Sequence, residues 1–159
     1  MNAVSNQPAV RVERTFAASP QQVYRAWLSP DLIRRWMAPG CEVTRVEVDE
    51  RPAGRYRVWH AVAGVPADGF EAEILELVPA ERIAWRWGFA GPEREAGPVY
   101  DSLLTVTLRD APGGGTVLTL VHERLDDLAA ALPQVAEMVG PGWEDVLAKL
   151  AVILNGASS

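Results

Sequence analysis

Apolar positions along this chain recur at two spacings. Most segments alternate every second residue, and three stretches repeat every three to four. "VRVERTF" alternates Val10, Val12, Arg14 and Phe16 with Arg11, Glu13 and Thr15, which predicts an opening strand. The next stretch, "SPQQVYRAWLSPDLIRRWM", contains Ser-Pro twice. Ser19 is a good helix N-cap, Pro20 fits the first helical position, and Gln22 can reach back to close a capping box. Val23, Tyr24, Trp27 and Leu28 then form one apolar face, and Leu32, Ile33, Trp36 and Met37 repeat it after Ser29 and Pro30. Two short helices are predicted, the second stopping at "APG", residues 38–40.

From Cys41 the period becomes two. "CEVTRVEVDE", "GRYRVWHAV", "GFEAEILELV", "RIAWRWGF", "SLLTVTLRD" and "TVLTLVHERL" read as strands, separated by "RPAG", "AGVPAD", "PAE", "AGPEREAGPVYD" and "APGGG". Strands joined by such short turns form a meander and hence an antiparallel sheet. The last element is helical again. Trp143, Val146, Leu147, Leu150, Ala151 and Leu154 fall on one face of "GPGWEDVLAKLAVILNG", with Glu144 and Asp145 near its start and Gly156 at its end. That face must be buried, and the sheet is the large surface available to it.

This order of elements resembles the START-like helix-grip fold of the SRPBCC superfamily, an α+β class. It is similar more narrowly to the homologues of the activator of the heat-shock-protein-90 ATPase. The resemblance rests on "ERTFAASPQQVYRAWLSPDLIRRWM", "PAGRYRVW", "AEILELVPAERIAWRW", "SLLTVTLRD", "GGTVLTLVHERL" and "GWEDVLAKLAVIL", from about Val10 to Asn155. One departure is "GPGW", whose Pro141 should break or kink any helix arriving from "LPQVAEMV". The resemblance implies a sheet curved around the C-terminal helix, with the two short helices bridging one end, and a cavity between the concave face and that helix. It implies one domain over residues 10–156, between flexible termini at 1–9 and 157–159. The superfamily includes lipid carriers, hormone receptors, polyketide cyclases and chaperone activators.

Alternation indicates which residues face such a cavity. Tyr56, Val58, His60 and Val62 share one face; so do Ile83, Trp85 and Trp87; Leu104, Val106 and Leu108; and Leu118, Leu120 and His122. The candidate ligand-binding residues are Trp27 and Trp36 from the short helices, Tyr56, Val58, His60, Trp85, Trp87, Val106, Leu120 and His122 from the strands, and Trp143, Leu147 and Leu150 from the last helix. The Ser-Pro helices and the loop "AGPEREAGPVYD" are expected to border its mouth. A single aromatic or histidine at strand spacing is more often a core residue. Several together exceed what a compact core needs and fit a small-molecule pocket.

Composition narrows the classes. A chain of 159 residues, 48% of them apolar, suffices for one domain that buries about 70% of its unfolded surface. A net charge of −6 without a basic block argues against nucleic acid and anionic membranes. Arg25, Arg34 and Arg35 alone make no phosphate-tracking stripe, so the two helices are not a DNA reader. The single cysteine, Cys41, permits no internal disulfide and suits a reducing cytoplasm. No signal peptide or membrane span is visible. Two histidines without a placed carboxylate or thiolate are an incomplete metal ligand set, and no cofactor is expected. Glu71, Glu73 and Glu76 read as a solvated sheet face, and "GGG" at 113–115 as a hairpin turn.

Three function classes remain. Binding of a small apolar or aromatic molecule, as carrier, sensor or stress-related protein, needs least from the sequence and ranks first. A polyketide cyclase-like enzyme would use Tyr56, His60 or His122. A chaperone co-regulator would act through its outer surface. The protein partners left open are a chaperone and a second copy of the chain.

Overall fold

The computed structural model describes residues 9–37, 41–93 and 97–157. The expected flexible termini, but for Ala9 and Ala157, lie outside the described residues, as does the "APG" stop at 38–40. The chain runs β1 (Val10–Phe16), α1 (Pro20–Leu28), α2 (Pro30–Trp36), β2 (Glu42–Val48), β3 (Arg55–Val62), β4 (Val65–Val78), β5 (Arg82–Ala90), β6 (Val99–Asp110), β7 (Thr116–Glu123), α3 (Asp126–Ala131), α4 (Pro133–Glu137) and α5 (Val139–Ala157). The strands form one antiparallel sheet in the order β1-β7-β6-β5-β4-β3-β2, curved around α5. Helices α1 and α2 carry the chain from one sheet edge to the other. This is an α+β helix-grip fold.

The helix signals act as their chemistry requires. The Ser19 hydroxyl accepts from the Gln22 N–H at 3.2 Å, and the Gln22 side chain accepts from the Ser19 N–H at 2.9 Å, closing the capping box. Trp143, Val146, Leu147, Leu150, Ala151 and Leu154 are all buried against the concave face. Pro141 sits in the first turn of α5, where its missing N–H is harmless. It cannot continue α4, and the break falls at Met138.

Four departures from the expected pattern have local causes. The β3–β4 turn is only Ala63-Gly64, both left-handed at φ 52° and 80°, so "VPAD" belongs to β4. Such two-residue turns match the twist of paired strands. A register shift between Trp59 and Ala61 ends the alternation of β3, so Val62 is 54% exposed and leaves the inward face. Strand β6 begins at Val99, which shortens the loop before it; residues 94–96 of that loop lie outside the described residues. Finally, the segment between β7 and α5 is not a simple connection. Arg124 turns at φ 60°, after which α3 and α4 form.

The convex face is ionic. Arg57 lies between Glu71, at 2.8 Å, and Glu47, at 3.5 Å, while Arg86 pairs with Glu73 and Arg82 with Glu76. The guanidinium groups of Arg45 and Arg57 stand over the Trp59 ring at 5.0 and 5.1 Å.

Candidate functional site

Antiparallel pairing brings one end of each central strand together. The ends of β3, β5 and β7 lie beside the starts of β4 and β6, and the first turns of α5 cross above them. There the inward side chains leave a cavity of about 300 Å³. His60, Asp68, Phe70, Trp87, Phe89, Ser102 and His122 form its sheet wall. Leu128, Val135, Met138, Val139, Gly142, Trp143 and Val146 form its helical wall, and Met37 and Cys41 close the side next to α2. Met138 is 61% exposed and marks the opening.

Of the expected site residues, His60, Trp87, His122 and Trp143 line this cavity. Trp27, Trp36, Tyr56, Val58, Trp85, Val106, Leu120, Leu147 and Leu150 do not; they are fully buried in the core beside it. The reason lies in α1 and α2, which were expected to border the cavity mouth. Their tryptophans instead fill the space under the sheet. Trp27 and Trp36 pack edge to face at 4.7 Å, Trp27 meets Trp85 at 5.4 Å, and Tyr56 meets Trp85 at 5.4 Å. Among the described residues from α1 to the end of α2 and the residue after it, Met37 reaches the cavity.

Tyr56 has a structural task. The last carbonyls of a helix lack intrahelical partners, and α1 ends inside the core. The Tyr56 hydroxyl donates to the Trp27 carbonyl at 2.6 Å, and the Trp36 indole N–H donates to the Ala26 carbonyl at 3.0 Å. Burial drives the Tyr56 phenol far above its ordinary pKa, so it stays protonated and donating. It does not reach the cavity as a proton carrier.

His122 lies in a chain of hydrogen bonds whose direction is fixed by its ends. The Trp143 indole is a donor only, so His122 Nδ1 accepts from it at 3.0 Å. The Ser102 hydroxyl donates to the Trp87 carbonyl at 2.8 Å, so it accepts from His122 Nε2–H at 2.7 Å. The ring is neutral with its proton on Nε2. Burial lowers its pKa to about 4, in keeping with that state. The arrangement differs from a nucleophile–base pair: Ser102 turns its proton to a carbonyl, and no carboxylate backs the imidazole.

His60 is held by main-chain oxygens. Its Nε2 is 2.8 Å from the Met37 carbonyl and its Nδ1 3.2 Å from that of Asp68. The Asp68 carboxylate lies 4.0 Å from Nδ1. Cys41 has its thiol pKa raised, by burial first and then by the charge of Asp68, so it is a protonated thiol on the wall. No group able to hold a metal ion occurs among the described residues.

The sequence reading missed the wall made by Leu128, Val135, Met138 and Val139. The signals were present in "LDDLAAALPQVAEMV": paired acids before an alanine-rich run, then a proline suited to a first helical turn. Asp68 was missed because "AGVPAD" was read as a turn, and Phe70, inside the expected strand "GFEAEILELV", was not assigned to the cavity. Ser102 falls two residues before Leu104, on the same inward face of its strand, and that alternation was its signal. The expected loop of the mouth, "AGPEREAGPVYD", contributes no described lining residue.

A family model described as Activator of Hsp90 ATPase homolog 1-like protein matches residues 17–155. Among solved structures, protein CV1439 from Chromobacterium violaceum is 31% identical with a TM-score of 0.77, over 92% of this chain and 97% of that one. Protein Ms6760 from Mycobacterium smegmatis is 23% identical with a TM-score of 0.76, over 94% and 92% of the two chains. DynU16, a protein of the dynemicin biosynthetic locus, shares the fold at 22% identity and a TM-score of 0.65, over 92% of this chain and 46% of its own. No curated protein matches. No helix among the described residues is long and apolar enough to cross a membrane.

Proposed function

The chain belongs to the family of Activator of Hsp90 ATPase homolog 1-like proteins, and from that premise we propose that it binds a small apolar or aromatic molecule in the cavity under α5, as a carrier or sensor in the cytoplasm. One domain over residues 10–156 would do this, with His60, Trp87, His122 and Trp143 among the ligand contacts. The observation that carries the reading is the cavity itself. A space of about 300 Å³, walled mostly by apolar and aromatic side chains with few polar groups, has the form of a small-molecule site. It lies at the smaller end of such sites, so the ligand is compact.

Catalysis of the cyclase type ranks below binding, for a reason specific to this site. The hydrogen bonds of His122 engage both ring nitrogens, and moving its proton would break the chain to Ser102 and Trp87. Tyr56 is buried away from the cavity.

Gly142 offers a direct test. It lines the cavity, and a Cβ built there meets no atom within 4 Å. Gly142→Leu should therefore fold, with a helix gain of roughly 0.5–1 kcal/mol, while occupying the space at the wall. Titration with octanol, followed by tryptophan emission, should give saturable binding in the parent and at least about tenfold weaker binding in the variant. Equal affinity in the two proteins would overturn the reading. Native mass spectrometry of freshly purified protein would identify any molecule that co-purifies.

A further inference from the structure

We propose that the cavity selects a cationic ligand: an apolar or aromatic body that carries a protonated or quaternary amine. This rests on the binding function proposed above and names the chemical class of its ligand. Three observations converge on it. The first is charge. Among the described residues that line the cavity, Asp68 carries the one carboxylate, and none is lysine or arginine. A ligand carboxylate would enter apolar surroundings beside the like charge of Asp68, which is costly; the one ammonium whose charge reaches the wall, that of Lys149 on α5, acts at Cys41 on the side next to α2.

The second is the aromatic wall. Phe70 lies two residues after Asp68 on the same strand. Its ring packs on Trp87 at 4.8 Å, and Trp87 on Trp143 at 5.6 Å. Phe89 lines the cavity beside them. Aromatic faces attract cations and repel anions, and a carboxylate next to such a wall adds to the preference.

The third is the direction of the hydrogen bonds. The Trp143 N–H is given to His122, the His122 N–H to Ser102, and the Ser102 O–H to the Trp87 carbonyl. Both ring nitrogens of His60 face main-chain carbonyls. These polar side chains turn their donors into the protein, whereas an anion needs donors turned outward. The Asp68 carboxylate, 4.0 Å from His60 Nδ1 but largely exposed, and a lone pair of Ser102 Oγ are acceptors suited to an N–H group. The Asp68 side chain is 55% exposed, which places the ligand's amine at the opening and its apolar body inside, toward Leu128 and Val146.

Octylamine, octanol and octanoate have the same tail and differ in the charge of the head. Each is titrated at neutral pH and physiological salt, read by tryptophan emission, against the parent, Asp68→Asn and Asp68→Glu. The parent should bind octylamine at least roughly tenfold more tightly than octanoate, with octanol between them. Asp68→Asn should lower the octylamine affinity to about that of octanol, and Asp68→Glu should keep the preference. Octanoate binding as tightly as octylamine overturns the inference but leaves the cavity function standing. So does an amine preference that survives Asp68→Asn, because the overall negative charge then explains it. Failure of octylamine, octanol and octanoate alike to bind the parent overturns the cavity function, and this inference with it.

Discussion

The two ends of the space under the sheet are built from the same kinds of residue and have opposite outcomes. At one end Trp27, Trp36, Tyr56 and Trp85 pack ring against ring and are fully buried. At the other, Trp87, Trp143, Phe70 and two histidines leave about 300 Å³ open. The aromatic contacts run without interruption from one end to the other, through Trp85–Trp87 at 5.6 Å and Trp27–Trp143 at 5.9 Å. What differs is the layer laid over the sheet. Helices α1 and α2 each insert a tryptophan, whereas α3 and α4 offer leucine, valine and alanine. An aromatic surface is therefore a core or a pocket according to the size of what faces it.

The comparison can be broken most sharply in the filled end. Leu147 is fully buried there, so Leu147→Ala should cost about 2–5 kcal/mol in a denaturant titration, through lost transfer energy and a new void. A loss below about 0.5 kcal/mol would show that this end is not tightly filled.

The open end should announce itself through pH. His122 is 3% exposed, and its pKa falls from the ordinary 6.5 to about 4 on folding. Between those values the unfolded chain binds more protons than the folded one, so stability must fall as pH drops through that window and level off above it. The total is on the order of 3 kcal/mol. His122→Gln, which cannot titrate, should flatten that part of the profile. An unchanged slope in the variant would assign the effect to another group and remove the buried neutral histidine from the picture.

Tyr56→Phe gives the smallest of these effects and sharpens the division. It leaves the Trp27 carbonyl unpaired inside the core, at a cost of about 1–3 kcal/mol. Octanol affinity should stay within about twofold of the parent, since Tyr56 does not line the cavity. A tenfold loss of affinity would mean that the two ends are not separate.

Much of this was legible without coordinates. The capping box at Ser19, the buried face of α5 and the inward-facing His60 and His122 follow from local rules, because helix caps, helical period and strand alternation involve residues close in sequence. The hairpin tip was misread because "AGVPAD" contains turn residues throughout. Only pairing with the neighbouring strand decides which of them turn, and that pairing also exposes Val62.

The sequence by itself determined the seven strands, α1, α2 and α5, their order and most of their apolar faces, since those depend on spacing along one chain. It did not determine where the space under the sheet would be filled. That depended on where α1 and α2 pack under the sheet, on the reach of Trp27 and Trp36, and on a helical segment whose short elements leave room. Nor did it determine the state of His122. Trp143, Ser102 and the Trp87 carbonyl come from three different elements, and only their convergence turns an ordinary imidazole into a neutral ring with one fixed tautomer. Period is a property of neighbours in the chain; volume and hydrogen-bond direction are properties of neighbours in space.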